Sequence, residues 1–340
     1  MKIKSILFIS LIFIIFGQSC SNDFDLIDKW KNIPVVYGLI NLQDSVHYVR
    51  VEKAFVDPEI GADKLARIPD SLYYEDIQVV FIHNSKEYEL EKINAETIGL
   101  PKQEGYFANQ PNFLYKINSS EIPLEGNDEL SLVITDIKGD SILTEATTHI
   151  VGNYNFAVNY PNDPINFNDK GKTSISWRAL ENEQSARFYD SKFIVRISEQ
   201  KEPGSNEYID KELVWIVEKR LERKFSNGYP ASSTFRRIDA NAFFNFLKNN
   251  LDATKQIKRR FKNIDLIVNA GGESLYKYIN IGLANTGITS AQTIPTYTNL
   301  SKGRGVFSSR NQVSMLEMGI TTNTKKLLVE NEITKDLNFE

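Results

Sequence analysis

Along the first 150 residues, apolar and polar positions alternate in short runs, the period-two pattern of half-buried strands. Residues 34–56, PVVYGLINLQDSVHYVRVEKAFV, read as two strands around a turn over Asn41–Ser45. In the second strand His47, Val49 and Val51 face one way, while Val46, Tyr48 and Arg50 face the other. Pro58 and Gly61 open a loop that ends near Pro69. Its length suits covering a sheet edge or touching something else. Ile77–Ile82 and Glu87–Leu90 form a hairpin across His83-Asn84-Ser85. Residues 112–118 make a single strand around Phe113 and Tyr115. Leu130–Asp136 and Ser141–Ile150 form another hairpin across Lys138-Gly139-Asp140. Many short strands without an amphipathic helix predict an immunoglobulin-like β-sandwich over residues 34–150.

Residues 151–172 are rich in Asn, Pro, Asp and Gly and read as a linker. Beyond it come a strand over Ser174–Arg178 holding Trp177, a strand over Phe188–Ser198, and one long strand over Lys211–Phe225. A Trp strand followed by a Tyr-led strand resembles the beginning of a fibronectin type III module. The period then changes. Phe243, Phe246, Leu247 and Leu251 fall at helical spacing behind Asp239, a good N-cap, and predict a helix over 240–252. Ile264–Ala270 returns to strand, Gly271-Gly272 breaks it, Glu273–Ala284 reads as a helix, and Gln312–Ile320 as a strand. The expectation for 173–325 is a second, fibronectin-III-like β-sandwich with inserted α-helices, followed by a tail over 326–340. The fold class is therefore mainly β.

Composition changes this picture at the N-terminus. The chain has one cysteine and three histidines among 340 residues. A disulfide within the chain is excluded, and a zinc site built from Cys and His lacks ligands. Residues 1–19, MKIKSILFISLIFIIFGQS, place Lys2 and Lys4 before an apolar run too short to span a bilayer in the usual way. This is the layout of a secretory signal peptide. Small residues lead to Cys20, which resembles a bacterial lipoprotein signal cut just before a cysteine that then carries acyl chains. Ser19 fits that motif; Gly17 departs from its preference for an aliphatic residue. Several acyl chains would hold the protein on a membrane stably. Residues 20–33 then read as a tether. Asp23, Asp25 and Asp28 within it look like a surface-export signal or an ordinary polar linker. No later segment approaches spanning length.

The formal net charge of −4 hides an uneven spread. Residues 20–210 carry 18 Lys and Arg against 32 Asp and Glu, and residues 211–340 carry 20 against 12. This opposition supports two domains. Lys255, Lys258, Arg259, Arg260 and Lys262 form the densest basic stretch. It is a candidate contact for anions or an acidic partner, or a solvated face that docks on the acidic half. Nucleic-acid binding is not expected, because neither half has the strongly basic balance that it requires.

Catalytic motifs are missing. No H-E-x-x-H or G-x-S-x-G spacing occurs, and His47, His83 and His149 read as structural or surface residues. No catalytic residue, metal ligand or cofactor is assigned. Lys302-Gly303-Arg304-Gly305 within 301–310 lacks the P-loop and dinucleotide fingerprints and reads as a glycine-rich turn into a strand. The 15 tyrosines and 20 phenylalanines suit sandwich cores as well as sugar-stacking platforms.

The lipoprotein start, the Pro34-Val35-Val36-Tyr37-Gly38-Leu39 strand, the Trp177 strand, and the stretch from Leu266 through Tyr278 to Gly303-Arg304-Gly305-Val306-Phe307 resemble an uncharacterised family of Bacteroidetes outer-membrane lipoproteins with a domain of unknown function. The resemblance spans most of residues 20–320 and brings no catalytic residues. It implies an outer-membrane lipoprotein with Ig-like and fibronectin-like modules and a TonB-dependent receptor as partner. The expectation is a non-enzymatic binding or accessory subunit held by lipid on Cys20. The alternative is a surface glycan-binding protein, or a carbohydrate-active enzyme that uses a carboxylate pair.

Overall fold

The computed structural model describes residues 33–54, 62–103, 105, 107–156, 164–180, 183–284 and 296–340. The signal peptide over 1–19, Cys20 and the tether up to residue 32 lie outside the described residues. The chain is mainly β, in several sheets, none of them closed.

The strands run in order as β1 Ile33–Asn41, β2 Val46–Ala54, β3 Ile77–His83, β4 Lys86–Glu89, β5 Glu91–Asn94, β6 Phe113–Asn118, β7 Glu129–Asp136 and β8 Ser141–His149. They continue as β9 Tyr154–Phe156, β10 Thr173–Ala179, β11 Ala186–Gln200, β12 Tyr208–Glu222, β13 Phe225–Ser226, β14 Tyr229–Pro230, β15 Ser233–Ile238, β16 Arg259–Gly272 and β17 Arg304–Met318. Helices α1 Ala62–Leu65 and α2 Pro69–Leu72 are single turns, whereas α3 Ala242–Asn250, α4 Glu273–Ala284 and α5 Thr322–Glu330 are longer.

The expected hairpins are present: β1 pairs with β2, β3 with β4, and β7 with β8. In β2 the buried residues are His47, Val49 and Val51, the face that the alternation assigns. An eight-stranded sheet of order β12-β11-β16-β17-β1-β2-β6-β5 spans the molecule. A four-stranded sheet, β4-β3-β7-β8, contributes Phe81, Leu132 and Ile134 to a first core with Val36, Ile40 and Val49 of the large sheet. A three-stranded sheet, β15-β10-β9, and helices α3 and α5 cover the other half of the large sheet around a second core.

The cores divide at residue 150, since Ile150 belongs to the first and Val151 to the second. The sheet does not divide there. β1 runs parallel to β17, with Val35 opposite Arg304 and Asn41 opposite Arg310. Phe307 and Leu300 complete the first core from the far end of the chain. The boundary at 151–172 therefore separates two cores but not two independent bodies. Nor are its described residues a free linker. Tyr154 is buried and its hydroxyl donates to the Val268 and Asn311 carbonyls, at 2.6 and 3.0 Å. Phe167 stacks on Phe243 at 4.2 Å and meets Phe193 and Trp215. Polar spacing hid two aromatics, Tyr154 and Phe167, that anchor the segment in the second core.

Residues 326–340 are likewise packed rather than a tail. Leu328, Leu337 and Phe339 are buried. Thr324 of α5 is fully buried, and its hydroxyl accepts from the Phe167 amide at 2.9 Å. Helix α3 buries Phe243 and Leu247 as expected, but it also buries Phe244, leaves Phe246 half-buried, and has Asn241 as its N-cap. Asp239 instead pairs with Lys172 at 2.9 Å, which holds its carboxyl below the usual range.

Candidate functional site

A cleft of about 520 Å³ opens where β1, the start of β17, α4 and residues 296–298 converge. β1 is apolar on both faces. Val36 and Ile40 point into the first core, so Tyr37 and Leu39 point to the opposite face of the sheet. Helix α4 lies over that face. Its Leu275 amide donates to Ser308 Oγ at 3.1 Å, and Tyr278 meets Tyr37, whose strand partner is Val306. The helix thus runs back along β17 toward Arg304.

Tyr37 and Tyr278 meet edge to face at 6.2 Å between ring centroids, and their hydroxyls lie 3.3 Å apart. Burial and then the Tyr278 hydroxyl push the Tyr37 phenol up to about 12, so it stays protonated at neutral pH. Tyr297 forms another wall and donates to Ser274 Oγ at 3.3 Å. Arg304 donates to Thr296 Oγ1 at 3.1 Å. Ile33, the first described residue, also lines the cleft.

The glycine-rich stretch is part of this architecture. Gly303 and Gly305 have φ of +105° and +111°. A Cβ on Gly303 would lie 2.2 Å from the Pro34 carbonyl oxygen, and one on Gly305 would lie 1.9 Å from that of Val36. Only glycine lets β17 approach β1 this closely. The stretch therefore forms the seam of the central sheet and the floor of the cleft, and β17 begins eight residues earlier than the expected strand.

Chemically the cleft offers aromatic walls, phenol and threonine hydroxyls and one guanidinium. Among its described lining residues none is His, Cys, Asp or Glu. It has hydrogen-bonding groups to orient a ligand but no side chain suited to general-base work near neutral pH.

Besides a cavity of about 800 Å³ that includes Asp336 and Glu340, two others hold carboxylates. One, of about 560 Å³, includes His149, Arg187, Phe225 and Glu273; Arg187 pairs with Glu273 at 3.0 Å. The other, of about 370 Å³, includes Glu218, Glu222 and Asp239, and each is held by a cation: Arg236, Arg187 and Lys172 respectively. The described residues contain no group of three side chains suited to hold a metal. His47 is buried, which pushes its pKa down. His83 is buried and meets Asp128 at 2.9 Å, while His149 is exposed near Glu129.

The basic stretch is not an open anion site among its described side chains. Arg259 is fully buried, bonded to Glu199 at 2.8 Å and to the Leu337 and Asp252 carbonyls. Lys258 and Arg260 converge on Glu340, at 2.9 and 2.6 Å, and Lys262 pairs with Asp210 at 2.6 Å. The side chain of Lys255 lies outside the described residues. The charges fasten the end of the chain and bridge to the acidic segment before residue 211.

The sequence reading quoted Tyr37, Tyr278 and Arg304 without bringing them together. The available signal was β1 itself, apolar at successive positions as a central strand covered on both faces must be.

The fold and cleft define a mainly β protein with a tyrosine-lined cleft beside the start of the β1–β17 seam. No family model matches the chain, and no curated protein matches it. Among the described residues, no helix is long and apolar enough to cross a membrane.

Proposed function

We propose that this is a lipid-anchored cell-envelope protein on the outer membrane, a non-enzymatic binding or accessory subunit of a TonB-dependent-receptor type of complex. The observation that carries this reading is the cleft's position. Ile33 lines it, and Cys20, placed as a lipidation site, stands thirteen residues before Ile33. A fully extended chain of that length reaches at most about 45 Å. The cleft is thereby tethered near the membrane plane, where an integral partner would be met. The aromatic walls and the phenol and threonine hydroxyls among its described lining residues suit the binding of a ligand. The same reading takes the unit around the first core as Ig-like and the unit around the second as fibronectin-III-like. Face-to-face sheets, and Trp177 buried edge-on against Tyr189 at 5.3 Å, support it.

The test is metabolic labelling with a fatty acid followed by membrane fractionation. Wild type should take up label and sediment with membranes; Cys20→Ala should do neither. If the variant still sediments and wild type takes up no label, the anchor reading fails.

A second reading, a surface glycan-binding protein, is favoured by the three tyrosines of the cleft, since aromatic rings stack on sugar faces. Affinity electrophoresis in gels containing soluble polysaccharides checks it. Retardation of wild type that is lost in Tyr278→Ala supports it, and unchanged mobility of wild type in every gel removes it.

A further inference from the structure

The two ends of the first sandwich differ. β1 starts, β2 ends, β3 starts, β7 ends, β8 starts and β17 starts at one end, as the pairings Ile33–Ala54, Val35–Arg304, Ile77–Asp136 and Asp136–Ser141 require. The loops after β2 and β5 also leave from that end. Lys102 pairs with Glu52 at 3.1 Å and lies over the Phe107 ring at 5.6 Å. The Ala108 amide donates to the Ala66 carbonyl at 2.7 Å, which joins the two loops after β2 and β5. The Ile137 amide donates to the Asp76 carbonyl, and Thr144 Oγ1 donates to the Lys302 carbonyl at 2.6 Å.

These loops and the start of β8 carry Ile68, Ile98, Leu100, Phe107, Ile137 and Ile142, each 44 to 61% exposed. The opposite end comprises the turns at 42–45 and 84–85 and residues 119–128. Among its described residues, no large hydrophobic side chain is exposed. Scattered exposed apolar residues are normal; a rim of them confined to one end marks a contact surface. The chain arriving from Cys20 enters at Ile33, on this same end, after a stretch of only twelve intervening residues.

The geometry points to this rim as a membrane-seating surface: the loop side chains dip into the lipid interface to which Cys20 is anchored and fix the orientation of the body. This inference rests on the lipid anchor of the proposed function. The anchor supplies proximity, and the apolar loop tips supply orientation, as interfacial side chains do for peripheral proteins. With the rim seated, the tyrosine cleft, which lies beside the start of β1 and β17, is held close to the bilayer.

The single native cysteine makes the test clean, because acylation at Cys20 leaves an introduced cysteine as the one reactive thiol. The purified lipidated chain, carrying Phe107→Cys or Ile142→Cys with an environment-sensitive fluorophore, is reconstituted into phosphatidylethanolamine–phosphatidylglycerol vesicles with and without a lipid-borne quencher. A control label sits at Ser120→Cys on the opposite end. The expected result is a blue shift and at least several-fold stronger quenching at both rim positions than at residue 120. Equal quenching at the two ends, or stronger quenching at residue 120, overturns the inference. A rim label shielded in native membranes but not in pure lipid vesicles also overturns it and makes a protein the occupant. Loss of vesicle association together with absence of fatty-acid label marks failure of the anchor instead.

Discussion

At the scale of single residues, the seam between β1 and β17 depends on two missing side chains. Gly305 is the tighter position, because its added Cβ would overlap a backbone oxygen that has no rotamer to move. Its φ of +111° is also strained for any L side chain. Gly305→Ala should destabilise the protein by at least about 2 kcal/mol, seen as a lower denaturant midpoint with an unchanged slope. A change within about 0.5 kcal/mol would show that the seam is looser than described. Residues of this kind are only half legible in sequence. The Gly-x-Gly spacing around Arg304 was conspicuous, but the reason for Gly305 is a carbonyl of Val36, 269 positions away. The proposed lipidation of Cys20 is the opposite case, since the motif behind that proposal lies among its neighbours in sequence. The alternation in β2 was legible for the same reason: it is local, and burial follows parity.

Elements follow the same division. Hairpins join neighbours, so turn chemistry between two alternating runs was enough to place β1–β2, β3–β4 and β7–β8. Helix α3 announced itself through phenylalanines at helical spacing, whereas α5, TNTKKLLVE, offers only a few apolar positions and gave no signal. The basic stretch was visible as a cluster, but its partners Glu199, Asp210 and Glu340 are distant in sequence. That end of the chain yields a pH prediction. Lys258 and then Arg260 hold the Glu340 carboxyl down to about 2, against an ordinary value of 4.5. A carboxyl lowered by folding contributes stability that is complete above 4.5 and lost as pH falls through 4.5 toward 2. Glu340→Gln should therefore flatten the dependence of stability on pH between 4.5 and 2. The cluster is solvent-facing, so salt should weaken the wild-type effect. An unchanged acid limb in the variant, followed by denaturant titration at successive pH values, would assign acid sensitivity to other groups.

On the scale of the molecule, two cores share one sheet, and the shared element decides how the chain folds. Length and opposed charge suggested two domains, and the cores do divide at residue 150. Yet β17 starts against β1 and ends against β16, so a single strand is built into both halves. Cutting the chain at the core boundary removes Phe307 and Leu300 from the first core and leaves β1 as an apolar edge. Losing one fully buried phenylalanine costs about 3–5 kcal/mol, comparable with the lower end of the roughly 5–15 kcal/mol that holds a domain folded. An uncovered β1 edge would also recruit other chains. A fragment of residues 21–156 should therefore lack a cooperative thermal transition or aggregate, and a peptide of residues 296–318 added in trans should restore the transition. The whole chain, by contrast, should unfold in one step by both circular dichroism and tryptophan fluorescence. In a Trp30→Phe background the tryptophan test is sharp, because the remaining Trp177 and Trp215 both pack in the second core, while far-ultraviolet dichroism sums over both cores. Non-coincident transitions, or a fragment that melts cooperatively within about 1 kcal/mol of the whole chain, would mean that the strand seam transmits little and that the halves are separate folding units.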